Sequence, residues 1–167
     1  WQGRTGLSLY HPASEQISFA SDFPNDTGKY HIIKCIEKCR TQPGIWAASG
    51  NACVVHLQHE SMKMKCIQEI RIPDACQVRV LHEDDQGNLW IGTENAIYQY
   101  SISDGNMRRI HKDTGAINGI AISPDKAIYY ITETPEFSCL PPDGQVHSIH
   151  KGENYSPIII SPDNKIW

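Results

Sequence analysis

Apolar and polar positions alternate with a period close to two, as in Val78-Arg79-Val80-Leu81 and Ile120-Ala121-Ile122. That is the period of a strand with one face covered, and no segment sustains the 3.6-residue period of a helix. The alternating stretches are short. They stop at Glu83-Asp84-Asp85-Gln86-Gly87-Asn88, Ser103-Asp104-Gly105-Asn106, Ser123-Pro124-Asp125 and Pro142-Asp143-Gly144, where Asp, Asn, Gly and Pro each favour a reversal. The pattern predicts units of four short strands. The first strand is followed by an acidic or Pro-containing turn, and the second carries an aromatic ring. The third is read at 6–10, 52–57 and 96–100, and the fourth at 107–110 and 145–149.

The rings recur. Trp1, Trp46, Trp90, Tyr129 and Trp167 stand 45, 44, 39 and 38 residues apart. Ile120-Ala121-Ile122-Ser123-Pro124-Asp125 returns 38 residues later as Ile158-Ile159-Ile160-Ser161-Pro162-Asp163. Four-stranded units of about 40–45 residues with one aromatic each are the mark of β-propeller blades. The chain is therefore expected to be all-β, a single propeller segment of about four four-stranded antiparallel blades. Its units are placed at about 1–30, 31–75, 76–115 and 116–155, with a partial unit at 156–167. Each ring is assigned a structural role, filling the wedge between adjacent sheets. Because the ends fall on second strands, ring closure through a pairing of the segment near Ile158 with Trp1 is conceivable. A fragment of a seven- or eight-bladed propeller is the favoured reading.

Composition narrows the function classes. The 167 residues carry 15 Lys plus Arg and 19 Asp plus Glu, for a net charge of −4, which argues against nucleic acid as a partner. No apolar run approaches the roughly 18 residues of a membrane helix. Trp1 is not preceded by a leader pattern, so the chain reads as excised from something longer, with any anchor or address outside it.

The chemistry-bearing residues are dispersed. Six cysteines, Cys35, Cys39, Cys53, Cys66, Cys76 and Cys139, leave pairing open. His31, Cys35 and Cys39 stand four apart, but on a strand four residues span about 13 Å, too far for one ion. Buried thiols filling small gaps are the expectation. His56 with His59, and His147 with His150, are spaced by three, so each pair faces both ways on a strand; all are read as surface or turn residues. Lys63, Lys65, Arg108 and Arg109 read as solvated strand faces. No phosphate-cradling glycine loop, nucleophile elbow or His-Glu-x-x-His pair occurs.

Val80-Leu81-His82-Glu83-Asp84-Asp85-Gln86-Gly87-Asn88-Leu89-Trp90-Ile91-Gly92-Thr93 resembles the two-component regulator propeller repeat, and Trp1-Gln2-Gly3-Arg4-Thr5-Gly6-Leu7-Ser8-Leu9-Tyr10 is similar to its second half. The resemblance implies the extracytoplasmic sensor region of a Bacteroidetes-type hybrid histidine kinase, periplasmic and membrane-anchored through its parent chain. It also implies ligand or partner binding, in many such sensors of glycan fragments, and signalling through a dimer. The fit is uneven. The second unit keeps Trp46 but lacks the Asp-Gly turn, and the fourth and fifth drift to Ser-Pro-Asp, with Tyr129 in the Trp slot of the fourth.

Asn118-Gly119-Ile120-Ala121-Ile122-Ser123-Pro124-Asp125 with Ile128-Tyr129-Tyr130 resembles a different propeller family, the gluconolactonases. That alternative implies a metal-dependent hydrolase with Asn118 as a metal ligand. Ser156 stands at the equivalent place one unit later, where such a site would want an acid. A purely structural interaction propeller is the third reading. Under the sensor reading the segment is not an enzyme and needs no cofactor. Its partners are a small-molecule or oligosaccharide ligand, the remaining blades, and a second copy of the parent. Propeller geometry puts ligand contacts where the chain leads into each first strand. Tyr30, His31, Gln77, Arg79, Asn118 and Tyr155 are the candidates there.

Overall fold

The computed structural model describes residues 8–19, 33–60, 63–75, 77–112, 115–134, 136–152, 158–161 and 165–167. Strands β1 (Ser8–His11) and β2 (Gln16–Phe19) form a two-stranded antiparallel pair. Three four-stranded antiparallel sheets follow. The first of these contains β3 (Ile33–Lys38), β4 (Ile45–Ser49), β5 (Cys53–Glu60) and β6 (Lys63–Arg71). The next contains β7 (Val78–Glu83), β8 (Asn88–Thr93), β9 (Ala96–Ser101) and β10 (Met107–Lys112). The last contains β11 (Ile117–Ile122), β12 (Ile128–Thr132), β13 (Glu136–Leu140) and β14 (His147–Lys151). Spatial order follows chain order in all three. They are the blades of a β-propeller, and below they are called the β3, β7 and β11 blades.

The alternation read from the sequence becomes two seams. Trp46 and Val54 pack with Leu81, Leu89, Ile91 and Tyr98 between the β3 and β7 blades. Trp90 and Ile97 pack with Ile117, Ile120, Ile128 and Tyr130 between the β7 and β11 blades. On β8, Leu89 and Ile91 thus serve one seam and Trp90 the other, as period two requires. Trp46 is fully buried, and a buried indole of about 150–250 Å² contributes on the order of 4–6 kcal/mol at about 25 cal/mol per Å². Tyr129 occupies the register position of Trp46 and Trp90, opposite Ala121 and Cys139. It differs from them in staying half-buried, stacked on Phe137 at 6.0 Å between centroids. Its face turns away from the β7 blade, and no further complete sheet lies against it among the described residues. The ring buried in this blade is its neighbour Tyr130, on the opposite face against Trp90.

The first turn of each blade shows how the repeat is tied. In the β7 blade the Asp84 carboxylate accepts from the N–H groups of Gln86 and Asn88, from Asn88 Nδ2 and from Trp90 Nε1 at 2.9 Å. In the β3 blade the Asp84 position is Cys39, so Trp46 has no acceptor in its own turn. Glu83 of the next blade supplies it. This fully buried carboxylate accepts from Trp46 Nε1 at 2.7 Å and from Thr41 N–H and Oγ1. In the terminal segment the corresponding residue is Ser161, whose Oγ accepts from Trp167 Nε1 at 3.4 Å. Two glycines are sterically required. Gly44 has φ +118°, and a Cβ there would meet the Leu57 carbonyl and the His56 ring. A Cβ at Gly92 would lie 2.6 Å from Val80 Cγ1 and 2.8 Å from Ile117 Cγ2, where the next blade's inner strand crosses.

Two readings of single residues change. His56 is not a surface residue: it is 2% exposed, its Nε2–H donates to the Pro43 carbonyl at 2.9 Å, and its ring lies 4.9 Å from that of Trp46. An imidazole is buried here because the sharp turn at Gly44 brings a carbonyl to it. Arg108 and Arg109 are exposed, as expected, yet they border a cleft rather than open solvent. No disulfide joins the described cysteines. Burial, and then the Glu37 carboxylate, push the Cys35 thiol up to about 12; burial, and then Glu83 and Glu37, do the same for Cys39. At neutral pH both remain protonated thiols, which makes them poor nucleophiles.

Candidate functional site

The inner strands β3, β7 and β11 lie side by side, β7 in contact with both others. Each carries an irregularity at the same place. The ladder skips one residue between Ile33 and Cys35, between Val78 and Val80, and between Ile117 and Gly119. The skipped residues are Lys34, Arg79 and Asn118. A bulge leaves its extra residue out of the ladder and re-aims its side chain. Opposite each bulge, at the end of the second strand, stands a buried hydroxyl residue: Ser49, Thr93 or Thr132. Thr93 Oγ1 accepts from Ala96 N–H and donates to the Ala96 carbonyl, both at 3.1 Å, which pins the loop carrying Glu94. Thr132 Oγ1 donates to the Thr134 carbonyl and pins the loop carrying Glu133.

Those two loops meet the bulge residues. The Gln77 N–H donates to Glu94 Oε2 at 2.8 Å. Arg79 reaches across the seam to Glu133, Nη2 to Oε2 at 3.9 Å. Its Nε is buried and has no hydrogen-bond partner among the described residues. Lys34 and Asn118 are exposed. The set is an ammonium, a guanidinium and two amides, donors suited to hydroxyls and oxyanions. It contains no nucleophile next to a base. As for a metal, no group of three or more His, Cys, Asp or Glu side chains able to hold one converges among the described residues, so Asn118 has no such cluster beside it there.

Of the six candidates, the structure places Gln77, Arg79 and Asn118 on this lead-in side, the last two at equivalent positions of adjacent strands. Tyr30, His31 and Tyr155 lie outside the described residues. Lys34 was missed. Its signal was spacing: Lys34, Arg79 and Asn118 precede Trp46, Trp90 and Tyr129 by 12, 11 and 11 residues. At the other end of the inner strands, near the first turns, a cleft of about 1140 Å³ runs between the β7 and β11 blades. None of the six candidates lines it.

Residues 72–95 match the family described as Two component regulator propeller, so the chain carries a repeat of that kind. No curated protein matches it. Among solved structures, the chain is similar to the extracellular domain of a B. thetaiotaomicron protein named as a hybrid two component system. The TM-score is 0.72 at 19% identity, over 98% of this chain and 23% of that one. It is similar to the WD40 β-propeller domain of Doa1, with TM-score 0.68 at 14% identity over 81% and 47% of the two chains. A 6-phosphogluconolactonase from Bacteroides uniformis gives TM-score 0.64 at 14% identity over 96% and 55%. The chain thus spans about a quarter of the B. thetaiotaomicron domain, and these likenesses show the propeller fold. No helix among the described residues is long and apolar enough to cross a membrane.

Proposed function

We propose that this chain, which carries a two-component regulator propeller repeat, is a ligand-binding segment of the extracytoplasmic sensor of a hybrid two-component system. The observation that carries the reading is the match over residues 72–95, together with likeness over 98% of the chain to an extracellular domain of such a system. The segment lies outside the cytoplasm as part of a parent protein anchored in the membrane, and the segment itself performs no catalysis. Its ligand is a small molecule or oligosaccharide held at the mouth marked by Lys34, Gln77, Arg79 and Asn118. The remaining blades complete the pocket. Signalling follows from a ligand that binds one arrangement of the paired sensor more tightly than the other.

Titration calorimetry of the chain against a panel of neutral oligosaccharides tests this. A hit whose affinity falls at least tenfold in Arg79→Ala, about 1.4 kcal/mol, is the expected result. Hits indifferent to both Arg79→Ala and Asn118→Ala would overturn the site. Thermal stabilisation by Ca²⁺ or Zn²⁺, reversed by EDTA, would instead favour a metal-dependent hydrolase.

A further inference from the structure

The cleft between the β7 and β11 blades lies at the far end of the inner strands from the mouth just described. The whole chain has net charge −4, yet the cleft wall carries four permanent cations, Arg40, Arg108, Arg109 and Lys126, against three carboxylates, Glu37, Asp84 and Asp85. All three carboxylates are already engaged. Asp84 is held by its turn amides and the Trp90 indole. Asp85 pairs with Arg40 at 3.2 Å, and Glu37 faces His82 at 3.5 Å. The remaining cations are less fully matched. Lys126 has no acidic partner among the described residues, and Arg109 is 3.9 Å from Asp74. Arg108 donates its Nε to Gln99 Oε1 at 2.8 Å, which orients the guanidinium and leaves its two terminal amino groups for another acceptor. Arg108 and Arg109 are consecutive on β10 yet border the same cleft; the register break just after Arg109 twists the strand there.

We infer that this cleft is a second ligand site, for an acidic oligosaccharide bearing carboxylate or sulfate groups. Arg108 and Lys126, without an acidic partner among the described residues, and Arg109, paired only at 3.9 Å with a carboxylate outside the wall, call for an anion. The apolar lining from Ile120, Ile128, Leu140 and Pro141 suits the C–H faces of sugar rings. The volume exceeds the usual range of about 300–1000 Å³ for a single small ligand, which favours an oligomer. The anionic part of this inference stands on the cleft alone; its saccharide part rests on the sensor reading above.

The test is calorimetry of the full chain with four probes: an oligogalacturonate, its methyl ester of the same length, a sulfated oligosaccharide, and an oligoglutamate peptide of the same charge. The two acidic saccharides distinguish carboxylate from sulfate as the preferred group. At least one should bind, with affinity at least tenfold lower in R108A/R109A, lower in high salt, and unchanged in Arg79→Ala. Where the oligogalacturonate binds, its methyl ester should bind at least tenfold more weakly. Lys126→Asn, which keeps a residue tolerant of positive φ, decides the matter should the double variant lose stability. A methyl ester that binds as tightly as a binding oligogalacturonate, equal binding of the peptide, no binding by either acidic saccharide, or indifference to all these variants would overturn the site. A neutral saccharide that needs Arg79, with acidic ones indifferent to Arg108, removes this site and leaves the sensor reading intact; the converse result removes the mouth and keeps the cleft.

Discussion

The two seams of the molecule are built from the same repeat and are held differently. Between the β3 and β7 blades, the Trp46 indole reaches a buried carboxylate that belongs to the other blade. Between the β7 and β11 blades, the Trp90 indole is satisfied within its own turn by Asp84, and the seam is closed mainly by apolar packing, with the partly exposed Arg79–Glu133 and Tyr130–His111 contacts also crossing it, before it opens into the cleft beyond. The acids responsible are neighbours, Glu83 and Asp84. As successive residues of β7 and its turn they address different blades, Glu83 the preceding one and Asp84 its own. A repeat therefore conserves a need, a buried N–H that must find an acceptor, more strictly than it conserves the residue that meets it.

That contrast can be broken by mutation, in decreasing order of effect. Trp46→Ala should cost about 3–5 kcal/mol in chemical denaturation, as expected for emptying a buried aromatic site. Trp90→Ala should cost less, because its seam already opens on solvent. Glu83→Gln should cost about 1–3 kcal/mol: the amide keeps one oxygen but turns an NH₂ toward Thr41 or the Trp46 indole, donor against donor. Gly92→Ala should destabilise by about 1–3 kcal/mol through overpacking against Val80 and Ile117. The smallest effect concerns pH. Burial alone would raise the Asp84 pKa, but the Trp90, Asn88 and Gln86 donors outweigh it and hold the carboxyl below its ordinary value. Its stabilisation is therefore full above the unfolded pKa of about 4 and is lost as pH falls through the lower folded value. Asp84→Asn should flatten that acid limb in pH-dependent melting.

The sequence made the blades legible because two signals agreed on them. Period-two alternation marked the strands, and the ring spacing marked the units. The position of Trp46 and Trp90 on second strands, at the seams, followed from both. What it could not reveal was which seam would own each polar group. The Glu83 contact with Trp46 joins residues 37 apart, and no local pattern marks it. His56 misled for a similar reason, since its burial depends on the Pro43 carbonyl presented by the Gly44 turn. Among the site candidates, Arg79 and Asn118 were legible as lead-in residues. Lys34 was overlooked: its spacing of 12 residues to Trp46 is one more than the 11 shared by Arg79 and Asn118, and the bulge position it has in common with them shows only when the ladder is known.

The central claim is that the units are separate sheets stacked on one another, with an indole of one bonded to an acid of the next. A double-mutant cycle on Trp46→Phe and Glu83→Gln tests it most directly. The structure predicts a coupling of about 1–2 kcal/mol for that pair and none within error for Trp90→Phe with Glu83→Gln. Additive effects of Trp46→Phe and Glu83→Gln would contradict it.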